Sequence, residues 1–290
     1  MAITIFQPLF FSEVGQRQNN EDYYLPIKPD TKTKLFIVCD GMGGLDKGEE
    51  ASRITAQSVE TYFVENPTDK ITDAYIQKAV ESAFMNLADY MDENSLISRM
   101  GSTLTLLHLS ANEATIAHIG DSRVYHVRGG EILYRTKDHK QVLDMVEDGI
   151  ITAEQAMTHP WRNRLSHSIS VRTIVAEEET TQKVDKAVVH QITDLQKNDY
   201  FFLCTDGVLE QITDDILTGI LAKEQANEVK INSLLAHCKD KTKDNYTAML
   251  VQVSGEEDKT YQSLVNEQPE NAEVPVTEKK SSLFRRWFMW

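Results

Sequence analysis

Two stretches of the chain share one design. Leu35-Phe36-Ile37-Val38-Cys39-Asp40-Gly41 and Tyr200-Phe201-Phe202-Leu203-Cys204-Thr205-Asp206-Gly207 are each apolar runs that end in Asp-Gly. That composition is expected of a buried strand delivering a carboxylate at its end. A single Asp-Gly is most simply a turn pair. Two of them, joined by Glu21-Asp22 after Asn19-Asn20, by Asp121 in Gly120-Asp121-Ser122-Arg123 and by Asp244-Asn245, suggest acids gathered at strand ends. Carboxylates brought together without basic partners repel one another by several kcal/mol, so such a cluster normally encloses cations. Oxygen-only donors select hard ions such as Mg2+ or Mn2+. A pair of these ions can ionise a water at neutral pH and clamp the oxygens of an in-line displacement on phosphorus. Arg17, just before Glu21, offers the forked donors that match a phosphate.

Other chemistries fit less well. Cys39, Cys204 and Cys238 are followed six residues later by Leu45, Glu210 and Asp244, so no cysteine sits in the Cys-x5-Arg cradle of a thiolate phosphatase. Three widely spaced cysteines also argue against a disulfide framework or a zinc knuckle, and a reducing cytoplasm is expected. Gly41, Gly43 and Gly44 are a poor nucleotide loop, because Asp46 takes the last glycine position and no Walker lysine follows. His139 reads as a surface group, and His108, His118 and His126 as residues on sheet faces.

Elements that would position these acids can be read from periodicity. Strands are expected at Ile3–Phe11, Lys34–Cys39, Ser102–Ser110, Ala114–Ile119, Arg123–Val127, Ile132–Arg135, Tyr200–Cys204 and Tyr246–Val253, with turns at Ala111-Asn112 and Gly129-Gly130. Helices are expected near 49–64, 73–91, 214–221 and 227–239. In the second of these, Ile76, Val80, Phe84, Leu87 and Met91 share a face. Helix pairs flanking runs of hairpin-linked strands predict a layered α+β domain rather than a doubly wound parallel sheet. The polar segment Asp138–Ser170 reads as an insertion over a site, with short helices near 142–147 and 153–157.

The 290 residues carry 45 acidic and 30 basic side chains, a formal net charge of −15, which disfavours nucleic acid as a partner. Neither a signal peptide nor a membrane span is expected. With no heptad seam, a monomer is the default. After Val253 the sequence turns polar and acidic, which places a domain at 1–253 and a tail, expected to be disordered, at 254–290. The tail closes on Leu283-Phe284-Arg285-Arg286-Trp287-Phe288-Met289-Trp290, a basic-aromatic patch that could dock weakly on a membrane or partner.

Taken in order, Arg17-Gln18-Asn19-Asn20-Glu21-Asp22, Asp40-Gly41-Met42-Gly43-Gly44, Gly101-Ser102-Thr103, Gly120-Asp121-Ser122-Arg123, Thr205-Asp206-Gly207 and Asp244-Asn245 resemble the signature of the metal-dependent Ser/Thr protein phosphatases of the 2C type, in their bacterial branch. The resemblance spans about Phe11 to Val253. It implies a four-layer α-β-β-α sandwich, with two central antiparallel sheets and a two-metal site at one end. It further implies that Asp40 bridges two Mn2+ or Mg2+ ions, that Glu21 and the Gly41 carbonyl serve one, and that Asp206 and Asp244 serve the other. Asp121 would belong to a third, weaker site, Arg17 would hold the substrate phosphate, and Asp22 and Asn245 would support. Asp138–Ser170 would be the variable, mobile flap. The substrates implied are phosphorylated proteins made by a Ser/Thr kinase. Met42 stands where many eukaryotic members carry a proton-donating histidine, and methionine has no proton to give. Glu210 is one methylene longer than the usual aspartate and would alter third-site geometry, and Ser166-His167-Ser168-Ile169-Ser170 departs from the usual small apolar end of the flap. Two other readings stay open: a silent phosphoprotein-binding module of the same fold, and a hydrolase of a small phosphate ester.

Overall fold

Every residue from Leu35 to Cys39 is apolar, yet successive side chains enter different cores. Phe36 and Val38 lie among residues such as Leu107, Phe201, Leu203, Met249 and Val251. Ile37 and Cys39 point the other way, onto Ile54, Val59, Ile76 and Val80. The run from Tyr200 to Cys204 does the same, with Phe201 and Leu203 on the first core and Phe202 and Cys204 against Leu217, Ile231 and Leu234. Since strand side chains alternate faces, a strand apolar at every position must be covered on both sides. That requirement produces four layers.

The computed structural model describes residues 3–43, 47–110, 113–173 and 184–255. In chain order the elements are β1 (Leu9–Glu13), β2 (Asp22–Leu25), β3 (Leu35–Gly43), α1 (Gly48–Glu65), α2 (Asp73–Glu93), β4 (Arg99–Ser102), β5 (Leu104–Leu109), β6 (Ala114–Ile119), β7 (Arg123–Arg128), β8 (Glu131–Arg135), α3 (Gln141–Glu147), α4 (Ala153–Thr158), β9 (Ile169–Arg172), β10 (Val188–Ile192), β11 (Tyr200–Cys204), α5 (Asp206–Leu209), α6 (Asp214–Leu221), α7 (Asn227–Cys238) and β12 (Tyr246–Gln252). One sheet has five strands in the order β1-β12-β11-β7-β8, and the other seven, β10-β6-β5-β3-β4-β9 with β2 also on β3. The described pairings are antiparallel. Helices α1 and α2 cover the seven-stranded sheet, while α6 and α7 cover the five-stranded one. The α+β sandwich expected from the sequence is the one observed.

Local chemistry explains the edges. Thr72 caps α2 by accepting the Tyr75 N–H, and the five residues expected on its apolar face are all buried. Thr213 caps α6 in the same way, and Thr152 and Gln155 form a capping box on α4. Three expectations are corrected. The strand expected at Ile3–Phe11 starts only at Leu9, because Pro8 has no N–H to donate; before it, Ile5 makes a lone bridge to Val253. The run Ser102–Ser110 is two strands, broken at Thr103 where the backbone turns to bond Asp40. Strands β2, β9 and β10 were not expected, being short and partly exposed, without a clear apolar run. The Ala111-Asn112 turn and the C-terminal patch at 283–290 lie outside the described residues.

Candidate metal centre

Asp40 lies inside β3, which continues to Gly43, so the first Asp-Gly is not a turn. Its backbone is held from both sides: the Asp40 N–H donates to Thr103 Oγ1 at 2.9 Å, and the Thr103 N–H donates to the Asp40 carbonyl at 2.8 Å. Ser102 Oγ donates to the same carbonyl at 3.1 Å, and the hydroxyls of Thr103 and Ser122 share a hydrogen bond of 2.8 Å. Asp206 opens α5, directly after β11. The preceding Thr205 hydroxyl donates to Asp22 Oδ2 at 2.8 Å and accepts the Thr247 N–H at 3.0 Å. Asp22 in turn faces Asp40 across the β2–β3 ladder. Asp121 sits in the turn between β6 and β7. Thus strands of both sheets deliver Asp40, Asp121 and Asp206 to one end of the sandwich, where one carboxylate oxygen of each lies within 4.8 Å of the others.

Glycine follows two of these acids for want of space. A Cβ on Gly41 would stand 1.9 Å from the Gly48 carbonyl oxygen, and one on Gly207 would stand 2.0 Å from that of Asn245. Close backbone approach, and not a turn, fixes the residue at both positions. Asn245 ties down the loop carrying Arg17 and Glu21. Its Nδ2 donates to the carbonyls of Val14 and Asn19, each at 2.8 Å, and its Oδ1 accepts the Glu21 N–H at 2.8 Å. The Glu21 carbonyl accepts the Gly41 N–H at 3.0 Å and the Ser52 hydroxyl at 2.6 Å. The exposed Arg17 guanidinium donates to Asp244 Oδ2 at 2.7 Å.

The charges are crowded. Burial, reinforced by Asp22, Asp206 and Asp121, pushes the Asp40 carboxyl well above the usual range. Burial likewise raises Asp22 and Asp206, with neighbouring acids adding to the effect. Asp22 Oδ1 is buried without a hydrogen-bond partner. Burial alone would lower the Lys140 ammonium, but Asp121 and Asp206 outweigh it and raise it. Its Nζ lies 3.0 Å from Asp121 Oδ2. Oxygen-only donors, mutually repelling and largely dry, fit hard divalent cations and would be relieved by them.

Most of the expected site residues meet. Asp40 and Asp206 adjoin, Glu21 and Gly41 are bonded through their backbones, and Asp244 is joined by Arg17. Three expectations change. Asp121, expected at a third, weaker metal site, has a carboxylate oxygen within 4.8 Å of those of Asp40 and Asp206, and it is ion-paired with Lys140, a partner that was not expected. His139 is not a surface group: it is half-buried, stacks on His118 with centroids 4.7 Å apart and accepts the Gly120 N–H at 3.1 Å through Nδ1. Glu210 turns to the Lys243 N–H, at 2.9 Å. Reasoning from sequence missed Lys140, Thr103 and Thr205. The two threonines sit inside motifs whose shape hints at a role, whereas a lone lysine before a helix gives no signal. Missed too was the forked pair of Arg123 with buried Asp138, whose Nη2–Oδ2 distance is 2.8 Å.

The segment 138–170, expected to be a flap, carries α3 and α4, and its ends are stitched together. The Gln141 N–H donates to the Arg164 carbonyl at 2.9 Å, and the Ser166 N–H to that of His139 at 2.9 Å. Between flap and β4 lies a cleft of about 540 Å³, lined by Met42, Arg99, Gln141, Arg164 and Ser170 among others.

A four-layer sandwich with an acid cage between its sheet ends defines a class of metal-dependent phosphatase. A family model described as protein phosphatase 2C matches residues 12–236, and the chain belongs to that family. The chain is 27% identical over 240 residues to the serine/threonine phosphatase stp of Listeria innocua, covering 81% of this chain and 91% of that one. It superposes on the phosphatase Stp1 of Staphylococcus aureus with a TM-score of 0.72 at 28% identity, covering 88% and 98% of the two chains. A second solved structure, the catalytic domain of the serine/threonine phosphatase PstP with two manganese ions, matches with a TM-score of 0.68 at 25% identity over 87% of this chain and 99% of that one.

Proposed function

We propose that the chain hydrolyses phosphoserine and phosphothreonine in proteins, opposing Ser/Thr kinases, with two divalent cations held by this cage. The observation that carries the reading is the meeting of Asp40, Asp121 and Asp206 at the joined ends of two sheets. In the proposed arrangement Asp40 would hold both ions, with Glu21 and the Gly41 carbonyl serving one, and Asp206 and Asp244 the other. When bound, the ions supply a nucleophilic water ionised at neutral pH and positive charge for the phosphoryl oxygens. The chain supplies position. Thr103 and Ser102 fix Asp40, Asn245 fixes the loop of Glu21, and Arg17 turns its exposed fork from Asp244 to the phosphate. Met42 holds no proton to donate, so the leaving alkoxide would take its proton from water or from another acid. Full retention of the acids favours an enzyme over a silent binding module.

Mn2+ as the working ion is part of the proposal, drawn from the hard-oxygen cage and the manganese in the PstP structure. A cytoplasmic location is proposed because all three cysteines are free and buried. Among the described residues no helix is long and apolar enough to cross a membrane. The catalytic domain is proposed to end near Val253. A phosphothreonine peptide should lose all turnover in excess chelator and regain it with Mn2+, and Asp40→Asn should be inactive though folded. Undiminished phosphate release in chelator would remove the proposal.

A further inference from the structure

Among the described residues, Lys140 is a member of the centre that neither the acid pattern nor the proposed ligand set accounts for. It immediately precedes α3, and its backbone is fixed by a bridge to Leu165, so the side chain leaves a tethered point. The side chain is largely buried, and its ammonium reaches Asp121 Oδ2 at 3.0 Å and Asp138 Oδ2 at 4.0 Å. Asp138 already has a forked partner in Arg123, so Asp121 is the acid that Lys140 neutralises. Asp121 shares its cluster with Asp40 and Asp206.

Asp121 has no part in the ligand set proposed for the two ions. A further divalent ion at Asp121 would have to sit against the Lys140 ammonium, which lies 3.0 Å from Asp121 Oδ2, and like charges so close repel strongly.

We propose that the Lys140 ammonium is a built-in cation occupying the Asp121 position, so that the centre takes two metal ions and excludes a third. The idea rests on the metal-dependent reading above. It makes Lys140 a positioning residue that sets the metal number, and Asp121 an anchor for lysine.

Equilibrium dialysis of the full chain against Mn2+ alone, with bound metal counted by atomic emission, tests the proposal. The wild-type chain and Lys140→Arg should saturate at two ions. Lys140→Ala and the uncharged Lys140→Gln should bind a third ion at Mn2+ concentrations where the wild-type chain holds two. Adding Asp121→Asn to Lys140→Ala should return the number to two. Three ions on the wild-type chain, or the same number on all the variants, would overturn the role of Lys140 and leave the metal-dependent reading standing. No bound Mn2+ on the wild-type chain at millimolar concentration would overturn both.

Discussion

At the scale of single residues, the acids of the centre are surrounded by side chains that hold the backbone, and the far end of the sandwich shows the opposite use of a carboxylate. Asp199 is fully buried and receives Arg128 Nε at 2.6 Å, Arg128 Nη2 at 2.8 Å and the Gln196 N–H at 2.9 Å, with His126 Nε2 3.0 Å away. Burial alone would raise its carboxyl, but these donors outweigh burial and bring it down to about 2. A depressed acid stabilises the fold fully above its unfolded value near 4 and loses that contribution as pH falls through its folded value. Urea unfolding should therefore show the wild-type advantage over Asp199→Asn shrinking by on the order of 2 kcal/mol between pH 5 and pH 2. A constant difference would mean that the pairing adds nothing. Of these acids, Asp40 and Asp206 were legible in the sequence because two apolar runs both end in Asp-Gly with further carboxylates nearby, whereas Asp199 was not. Their partners were not. Thr103, Lys140 and Arg128 act on groups 63, 19 and 71 residues away along the chain, and only the folded register reveals the pairing.

Elements differ in how much room they leave. Strand β11 feeds α5 with the backbone pressed against Asn245, so Gly207→Ala cannot be absorbed without moving Asp206. A shift of about 1 Å at a catalytic group costs on the order of 100-fold in turnover, which a phosphopeptide assay on Gly207→Ala should read. In α6, by contrast, nothing lies within 4 Å of a Cβ on Gly219, so Gly219→Ala should keep activity and raise stability by roughly 0.5–1 kcal/mol. Wild-type turnover in Gly207→Ala would show that α5 is free to slide. The longer helices were the most legible elements, because an apolar face marks α2 locally and threonine caps mark the starts of α2 and α6, whereas the four-residue α5 was not expected. Strands β2, β9 and β10 escaped, since an edge strand held by its neighbour's backbone needs no apolar signature of its own.

Across the whole molecule, the crowded acids at one end make metal a stabilising ligand as well as a chemical one. Mn2+ at a hundred times its dissociation constant should add about 2.7 kcal/mol per site, raising Tm by roughly 5–10 °C for a domain of this size. Calorimetry with and without chelator measures this, and an unchanged Tm would argue against a preformed cage. The layers could be foreseen from doubly apolar strands, but the strand order could not, because local sequence does not say which distant strand lies alongside. In that order β12, the last of the described strands, lies between β1 and β11, and Asp244 and Asn245 immediately precede it. A polypeptide still growing on the ribosome therefore carries Arg17, Glu21 and Asp40 before Asp244 and Asn245 can join them. The centre is whole only once the strand that follows Asp244 and Asn245 has been made, since Asn245 holds the loop of Glu21.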